Sequence, residues 1–329
     1  MTKPTALVLV DLNSQSSVKG LGKKAANIAE VAMVPGVRTP RGFAFPGEVL
    51  DSYLANSRAD ILGILRALDP TDAHRSVEQL LLSRPIAHAE ALVEHLREQF
   101  PPNTLFAVRS SAHPVVKGVR VAEDSTEISL AGQYSSFLRV PINTVPEAVI
   151  RCVASLFNPR SIELFEPNLD TTYIASTMTV LIQEMVDATA CGVMMTIDPM
   201  AHAEGTEVVG IEASYGPCEA IVAGKTQGDL FLIDRTTGAV TETELGSKRW
   251  RVDHPVYGSA DDDMLTAVSQ EMRSAYSLTQ DEAEKIANLG LRIEQHFGLP
   301  QDIEFVLDVH REAVVTQARP ITTLKEKIT

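Results

Sequence analysis

The tract from Thr279 to Thr322 constrains the fold more than any other part of the chain. Thr279 with Glu282 three residues later reads as a capping box, and Ala283, Ile286, Gly290, Ile293 and Phe297 fall on one helical face. Gly298 closes that helix, and two strand-like runs follow, Ile303–Val309 and Ala313–Thr316, joined by a tight polar turn. Side chains alternate along a strand, so Asp302 and Glu304 share one face and Gln317 and Arg319 share another. Pairing the two strands would gather carboxylates, an amide oxygen and a guanidinium, a hard-oxygen set suited to Mg²⁺ with phosphates. A solvated sheet face carrying alternating polar residues is the competing reading of the same pattern.

Elsewhere the pattern predicts a strand at Ala6–Val10 and a helix from Lys24 to Met33, stopped by Val34-Pro35-Gly36. Residues 47–99 read as mainly helical, with Leu62, Leu65, Leu68, Leu92 and Leu96 at helical spacing. Leu105–Val108 reads as a buried strand that delivers Arg109 to its end, followed by a long polar segment from His113 to Ser129. A helix is expected at Val145–Phe157 and a central strand at Met178–Met185, with further strands at Val193–Ile197 and Glu207–Glu212. Asp234–Gly238 marks a hairpin turn within Leu230–Leu245. No internal repeat is visible, so the class is mixed α and β.

A net charge of −14, from 29 basic and 43 acidic residues, argues against a general nucleic-acid binder, which needs a Lys/Arg surplus. Three cysteines without metal-ligand spacing fit a reducing compartment better than a disulfide framework. No apolar stretch is long enough for a bilayer span or a signal peptide, so no membrane partner and a cytoplasmic location are expected.

Three further segments bear on phosphate chemistry. Gly20-Leu-Gly22-Lys23-Lys24 sets a lysine pair at a helix start, where backbone amides and the dipole favour anions. It lacks the Walker A spacing, and an exposed turn is the bland alternative. Arg109-Ser110-Ser111 at a strand end offers a guanidinium and two hydroxyls to phosphate oxygens, or simply an ion-paired strand end. Ala131-Gly132-Gln133-Tyr134 contains a glycine that would let backbone approach a ligand, or form an ordinary turn.

Taken in order, these pieces resemble the ATP-binding region of the phosphoenolpyruvate synthase, pyruvate phosphate dikinase and rifampin phosphotransferase family. The matching segments begin with Gly22–Glu30, Val37–Phe43, Val108–Ala112, Glu123-Asp124 and Ala131–Tyr134. They continue through Ile182–Met185, Cys191–Thr196 with Asp198-Pro199, Glu212–Gly216 with Glu219-Ala220, Asp302–Glu304 and Thr316–Thr322. The resemblance implies an α+β, ATP-grasp-like nucleotide-binding domain of two lobes with a cleft between them, here divided as residues 1–190 and 191–329. It implies that Lys24, Lys23 and Arg109 hold phosphates, with Gly132 and Gln133 in the same binding set. Gln183, Glu184 and Met185 would line the adenine. Glu304, Gln317 and Asp302 would serve Mg²⁺, and Arg319 would stabilise the phosphoryl group in transfer. Lys24, Arg109 and Arg319 are thus the catalytic candidates, with ATP and Mg²⁺ as cofactors.

The chain departs from the family pattern in the segment His113–Ala122, at Gly216-Pro217-Cys218-Glu219 and at Lys23. None of its eight histidines lies in the family's phosphohistidine setting. Three acceptor readings follow: a histidine on a separate swivelling partner protein, a small molecule phosphorylated or ligated directly, or no acceptor at all in a nucleotide-binding regulatory subunit.

Overall fold

The computed structural model describes residues 9–13, 21–84, 86, 88–112, 134–165, 178–258 and 264–321. Gly132, Gln133 and the segment 113–122 lie outside the described residues, as does most of the strand expected at Ala6–Val10. The chain separates into two compact units, each discontinuous in sequence. The first comprises Met1–Ala26, Arg41–Met185 and Val256–Ser259; the second comprises Asn27–Pro40, Val186–Pro255 and Ala260–Thr329. This differs from a single cut after residue 190 because two short segments join units far from them in sequence. Arg38 pairs with Asp308 at 2.9 Å within the second unit, whereas Tyr257 packs edge-on against Phe137 within the first.

The first unit is built on an antiparallel sheet in the order β1-β2-β5-β3-β4. Its strands are β1 (Val10–Asp11), β2 (Gly42–Phe45), β3 (Leu105–Ala112), β4 (Ser136–Pro141) and β5 (Met178–Glu184). Helix α1 spans Lys23–Ala32, with Lys23–Ala26 in this unit and the remainder assigned to the second, and the expected helical region resolves into α2 (Gly47–Ala55), α3 (Arg58–Ala67), α4 (Pro70–Leu82) and α5 (Ala89–Gln99). Beyond them come α6 (Val145–Ala154) and α7 (Pro159–Phe165). One sheet face carries Phe45, Val180, Ile182, Phe106 and Val108, which join Leu81, Leu92, Leu96 and Val149 in a continuous apolar core. Fully burying each such side chain is worth roughly 1.5–3 kcal/mol, which ties the helices to this face.

The second unit contains a six-stranded sheet in the order β13-β12-β6-β7-β8-β9 and a separate two-stranded ribbon. Its strands are β6 (Ala190–Met195), β7 (Val208–Tyr215), β8 (Asp229–Asp234), β9 (Val240–Glu244), β12 (Gln301–Leu307) and β13 (Ala313–Pro320), and the ribbon is β10 (Trp250–Asp253) with β11 (Met264–Ala267). Short helices α8 (Pro199–Ala203), α9 (Glu219–Val222) and α10 (Gln270–Arg273) punctuate it. The long helix α11 (Gln280–Phe297) begins at the expected capping box, with Glu282 N–H donating to Thr279 Oγ1 at 3.2 Å, and ends at Gly298 with φ +70°. It buries Ala283, Ile286, Ala287, Gly290 and Ile293. Gly290 lies against Met194 so closely that a Cβ there would meet the methionine methyl at 2.4 Å, which explains a glycine in a helix interior. The hairpin turn forms as expected, with Asp234 Oδ1 accepting from the Thr236 and Thr237 amides at 3.0 and 2.7 Å. Among the described residues no helix is long and apolar enough to cross a membrane.

Candidate functional site

The strand pair anticipated near the C-terminus forms with the register that the alternation needs: Asp302 lies opposite Arg319, and Glu304 opposite Gln317. Arg319 donates from Nε to Asp302 Oδ2 at 2.9 Å, and its second nitrogen lies 2.8 Å from the same oxygen. Gln317 Nε2 donates to Glu304 Oε1 at 3.1 Å. Arg319 is 42% exposed against 14% for Asp302, so this pair is a weakly held surface contact and the guanidinium can exchange partners cheaply.

Register extends the constellation across the sheet. Glu304 stands opposite Val193, and Val193 opposite Glu212, so the two glutamates flank one valine on one face. Glu212 belongs to the matching segment Glu212–Gly216, and its place in the alternation of Val208–Tyr215 sets it on this face. Its Oε1 accepts from the Gly228 amide at 2.8 Å. Cys218 sits beside this row, with its thiol donating to the Gly192 carbonyl at 3.5 Å. A hydrogen bond with Cys191, then burial, then the charges of Glu304 and Glu219 raise that thiol well above its ordinary range.

Among the described residues no group of three or more His, Cys, Asp or Glu side chains is placed to hold an ion. The oxygen donors present still fit Mg²⁺, which ordinarily takes one or two protein carboxylates and leaves its remaining positions to phosphates and water. Glu304 and Gln317 would hold it, with Asp302 adjacent.

In the first unit, Arg109 and Ser111 on β3, Gln183 and Thr179 on β5 and Gly42 on β2 share the sheet face opposite the helix-covered core. The N-terminus of α1 rests on this face. Gly22 N–H donates to Thr179 Oγ1 at 3.2 Å and Ala25 N–H to Ser111 Oγ at 3.1 Å, so strand hydroxyls satisfy amides at the helix start. Gly22 is required there, because a Cβ would lie 2.2 Å from the Ser111 carbonyl oxygen. Lys23 and Lys24 thereby open a helix anchored on the Arg109 face, Lys23 exposed and Lys24 partly buried.

Two expectations are modified here. The paired hydroxyls after Arg109 do not act together: Ser111 caps α1, while alternation turns Ser110, buried and without a hydrogen-bond partner for its hydroxyl among the described residues, to the core face. Glu184 likewise faces away from Gln183. Its carboxylate is held by a forked pair with Arg41, whose Nε lies 3.2 Å from both oxygens and whose second nitrogen lies 2.9 Å from Oε2. Arg41 in turn stacks over Phe100 at 4.6 Å on that face. Of the three adenine-lining candidates, only Gln183 therefore points its side chain to the Arg109 face, while Glu184 can offer backbone. Met185 donates its amide to the Leu105 carbonyl at 2.8 Å and ends the strand. Gln183 is 2% exposed, and its Nε2 has no hydrogen-bond partner among the described residues. A buried amide left unsatisfied costs about 1–3 kcal/mol, so a ligand that accepted from it would recover that cost.

A family model described as the pyruvate phosphate dikinase AMP/ATP-binding domain matches residues 18–329. A probable phosphoenolpyruvate synthase of Methanothermobacter thermautotrophicus is 30% identical, over 93% of this chain and 44% of its own length. A rifampicin phosphotransferase of a Streptomyces species is 31% identical over 96% of this chain and 36% of its own length. The phosphoenolpyruvate synthase of Escherichia coli is 30% identical over 92% of this chain and 39% of its own length. The chain thus spans less than half the length of these relatives.

Proposed function

Because the chain belongs to the pyruvate phosphate dikinase AMP/ATP-binding domain family, we propose that it binds Mg-ATP and transfers a phosphoryl group from it. The observation that carries the proposal is the cross-strand set of Asp302 with Arg319 and Glu304 with Gln317. The ATP-grasp-like architecture, with its two lobes and cleft, belongs to the same proposal and rests on family membership.

In this reading Lys24, Lys23 and Arg109 neutralise phosphate oxygens, assisted by Gly132 and Gln133. The Gln183 amide and the backbone of Glu184 and Met185 meet the adenine. Glu304 and Gln317 would hold Mg²⁺, which would supply charge neutralisation for the phosphate oxygens. Arg319 exchanges Asp302 for the transferring phosphoryl group, and Asp302 keeps the guanidinium oriented until then. Positioning and charge neutralisation account for catalysis in such a site, since phosphoryl transfer asks little covalent work of the protein.

The acceptor is a histidine on a separate partner protein or a small molecule. The relatives are named for phosphoenolpyruvate synthesis and for phosphotransfer to rifampicin, so both names refer to small molecules. Separation of products from radiolabelled ATP decides between them. AMP with acid-labile label on a partner protein supports the histidine route, and label in a soluble compound supports direct transfer. A non-catalytic regulatory subunit would show binding with no turnover alongside any acceptor, which would overturn the proposal.

A further inference from the structure

Arg139 occupies a conformation that its side chain does not favour. It lies on β4 with φ +52°, in the left-handed region where a residue with a Cβ is strained. The cause is a bulge: Phe106 pairs with Val140 and Val108 with Phe137, so Leu138 and Arg139 together oppose the single residue Ala107. Asn, Asp or Gly would relieve this position, yet the chain places an arginine there.

The guanidinium is also poorly accommodated by its surroundings. Arg139 Nε is shielded from solvent and has no hydrogen-bond partner among the described residues. Burying a charged donor without a partner is costly, and surface arginines ordinarily avoid it by leaving the guanidinium in water.

Register connects this residue to a second orphan. Ala107 lies opposite Gln183 on its other side, so the row across the sheet reads Gly42, Gln183, Ala107, then the bulge with Arg139. Strand spacing puts Gln183 and the bulge about 10 Å apart, with Ala107 between them in the row. Arg109 stands two residues further along β3, on the Ala107 face and about 7 Å away. Two unsatisfied donors thus flank a small residue beside an arginine already assigned to phosphate.

We infer that Arg139 is a further phosphate-binding residue of this face, gripping an oxyanion of the ligand whose polar edge meets Gln183. The inference rests on the nucleotide reading for its choice of phosphate. The bulge sets Arg139 opposite Ala107 at the end of the row, and a bound oxyanion would supply a partner for Nε. Loss of the side chain should therefore weaken phosphate binding while relaxing the backbone.

Calorimetry on the full chain tests this with three probes, MgATP, tripolyphosphate and adenosine, on wild type, Arg139→Asn and Arg139→Lys. In Arg139→Asn, MgATP and tripolyphosphate should bind roughly tenfold more weakly, with adenosine unchanged, as expected for one lost charge-assisted contact. Arg139→Lys should fall between, because an ammonium lacks the fork. The melting temperature of Arg139→Asn should rise by about 2 °C as the left-handed strain is relieved. A merely structural arginine would lower the melting temperature and leave affinity alone. Wild-type affinities in Arg139→Asn for both phosphate probes would overturn the inference while leaving the nucleotide reading intact. Failure of wild type to bind either phosphate probe would sink both. Failure with MgATP alone, with the tripolyphosphate difference preserved, would sink only the nucleotide reading.

Discussion

On the six-stranded sheet each proposed ligand group is met by another: Asp302 by Arg319, and Glu304 by Gln317. On the five-stranded sheet two polar atoms, Gln183 Nε2 and Arg139 Nε, are buried and have no hydrogen-bond partner among the described residues. The first arrangement stores its charges in pairs that a ligand must open, at modest cost because Arg319 is partly exposed. The second leaves sockets whose desolvation has already been incurred, so a ligand restores satisfaction rather than exchanging it. Binding chemistry placed on paired groups should show itself in turnover, and chemistry placed on orphaned groups in affinity.

The strongest test of that contrast is Glu304→Ala, which should lower phosphoryl transfer on the order of 10²–10³-fold, the scale for loss of an electrostatic stabiliser. Calorimetry should find ATP affinity dependent on Mg²⁺ in wild type and indifferent to chelator in the variant. Equal wild-type affinities with Mg²⁺ and with chelator would remove the metal role from Glu304 and Gln317. Next in size, Arg319→Ala should cut turnover roughly 10²-fold with a much smaller rise in the KM for ATP, and Arg319→Lys should recover only part of the loss. If the rate held and affinity fell instead, Arg319 would behave like the orphaned groups and the contrast would collapse.

A smaller effect addresses the anchoring of α1. Gly22→Ala drives a methyl into the Ser111 carbonyl, so the melting temperature should fall by about 5 °C, and phosphate affinity with it as Lys23 and Lys24 shift. An unaltered melting curve would show that the helix start yields freely. The smallest effect is electrostatic and lies in the second unit. Burial alone would raise the Glu282 carboxyl, but hydrogen bonds from Arg311 and the Thr279 amide outweigh it and hold it below its ordinary value. A depressed folded-state value contributes stability above the unfolded-state value near 4.5, and that stability fades as pH falls through the folded-state value. Glu282→Gln should therefore cost stability at pH 7, where the contribution is fully present, and flatten the acid limb below about pH 4.5, where the difference from wild type should vanish. An acid limb matching wild type would assign the loss to other carboxylates, Asp308 first among them, since it too is held low.

What could be read from residues alone follows the same division. The pairs Asp302–Arg319 and Glu304–Gln317 span 17 and 13 residues within one hairpin, so period-two alternation was enough to foresee them. The capping box of α11 was equally local. The row through Gly42, Gln183, Ala107 and Arg139 joins four strands from distant parts of the chain, and nothing in their local patterns states the register. Ser110 and Ser111 looked like a pair because adjacency suggests cooperation, whereas a strand sends neighbours to opposite faces. The fork between Arg41 and Glu184 was invisible because it closes across 143 residues.

The residence of Asn27–Pro40 in the second unit bears on how the protein is made. Arg38 waits 270 residues for Asp308, Glu30 waits 266 for His296, and Asn27 waits 291 for the carbonyl of Ala318. At ordinary rates of synthesis those partners emerge on the order of tens of seconds later. Until β13 leaves the ribosome this early segment has no native place to settle, and the nascent chain carries it unplaced through most of translation. Closing such long loops makes the final docking of β13 a slow, non-local step. Growth temperature and chaperone supply should therefore govern soluble yield more than codon choice near the start, and fragments cut at residue 185 should fail to regain the second unit without residues 27–40 added back.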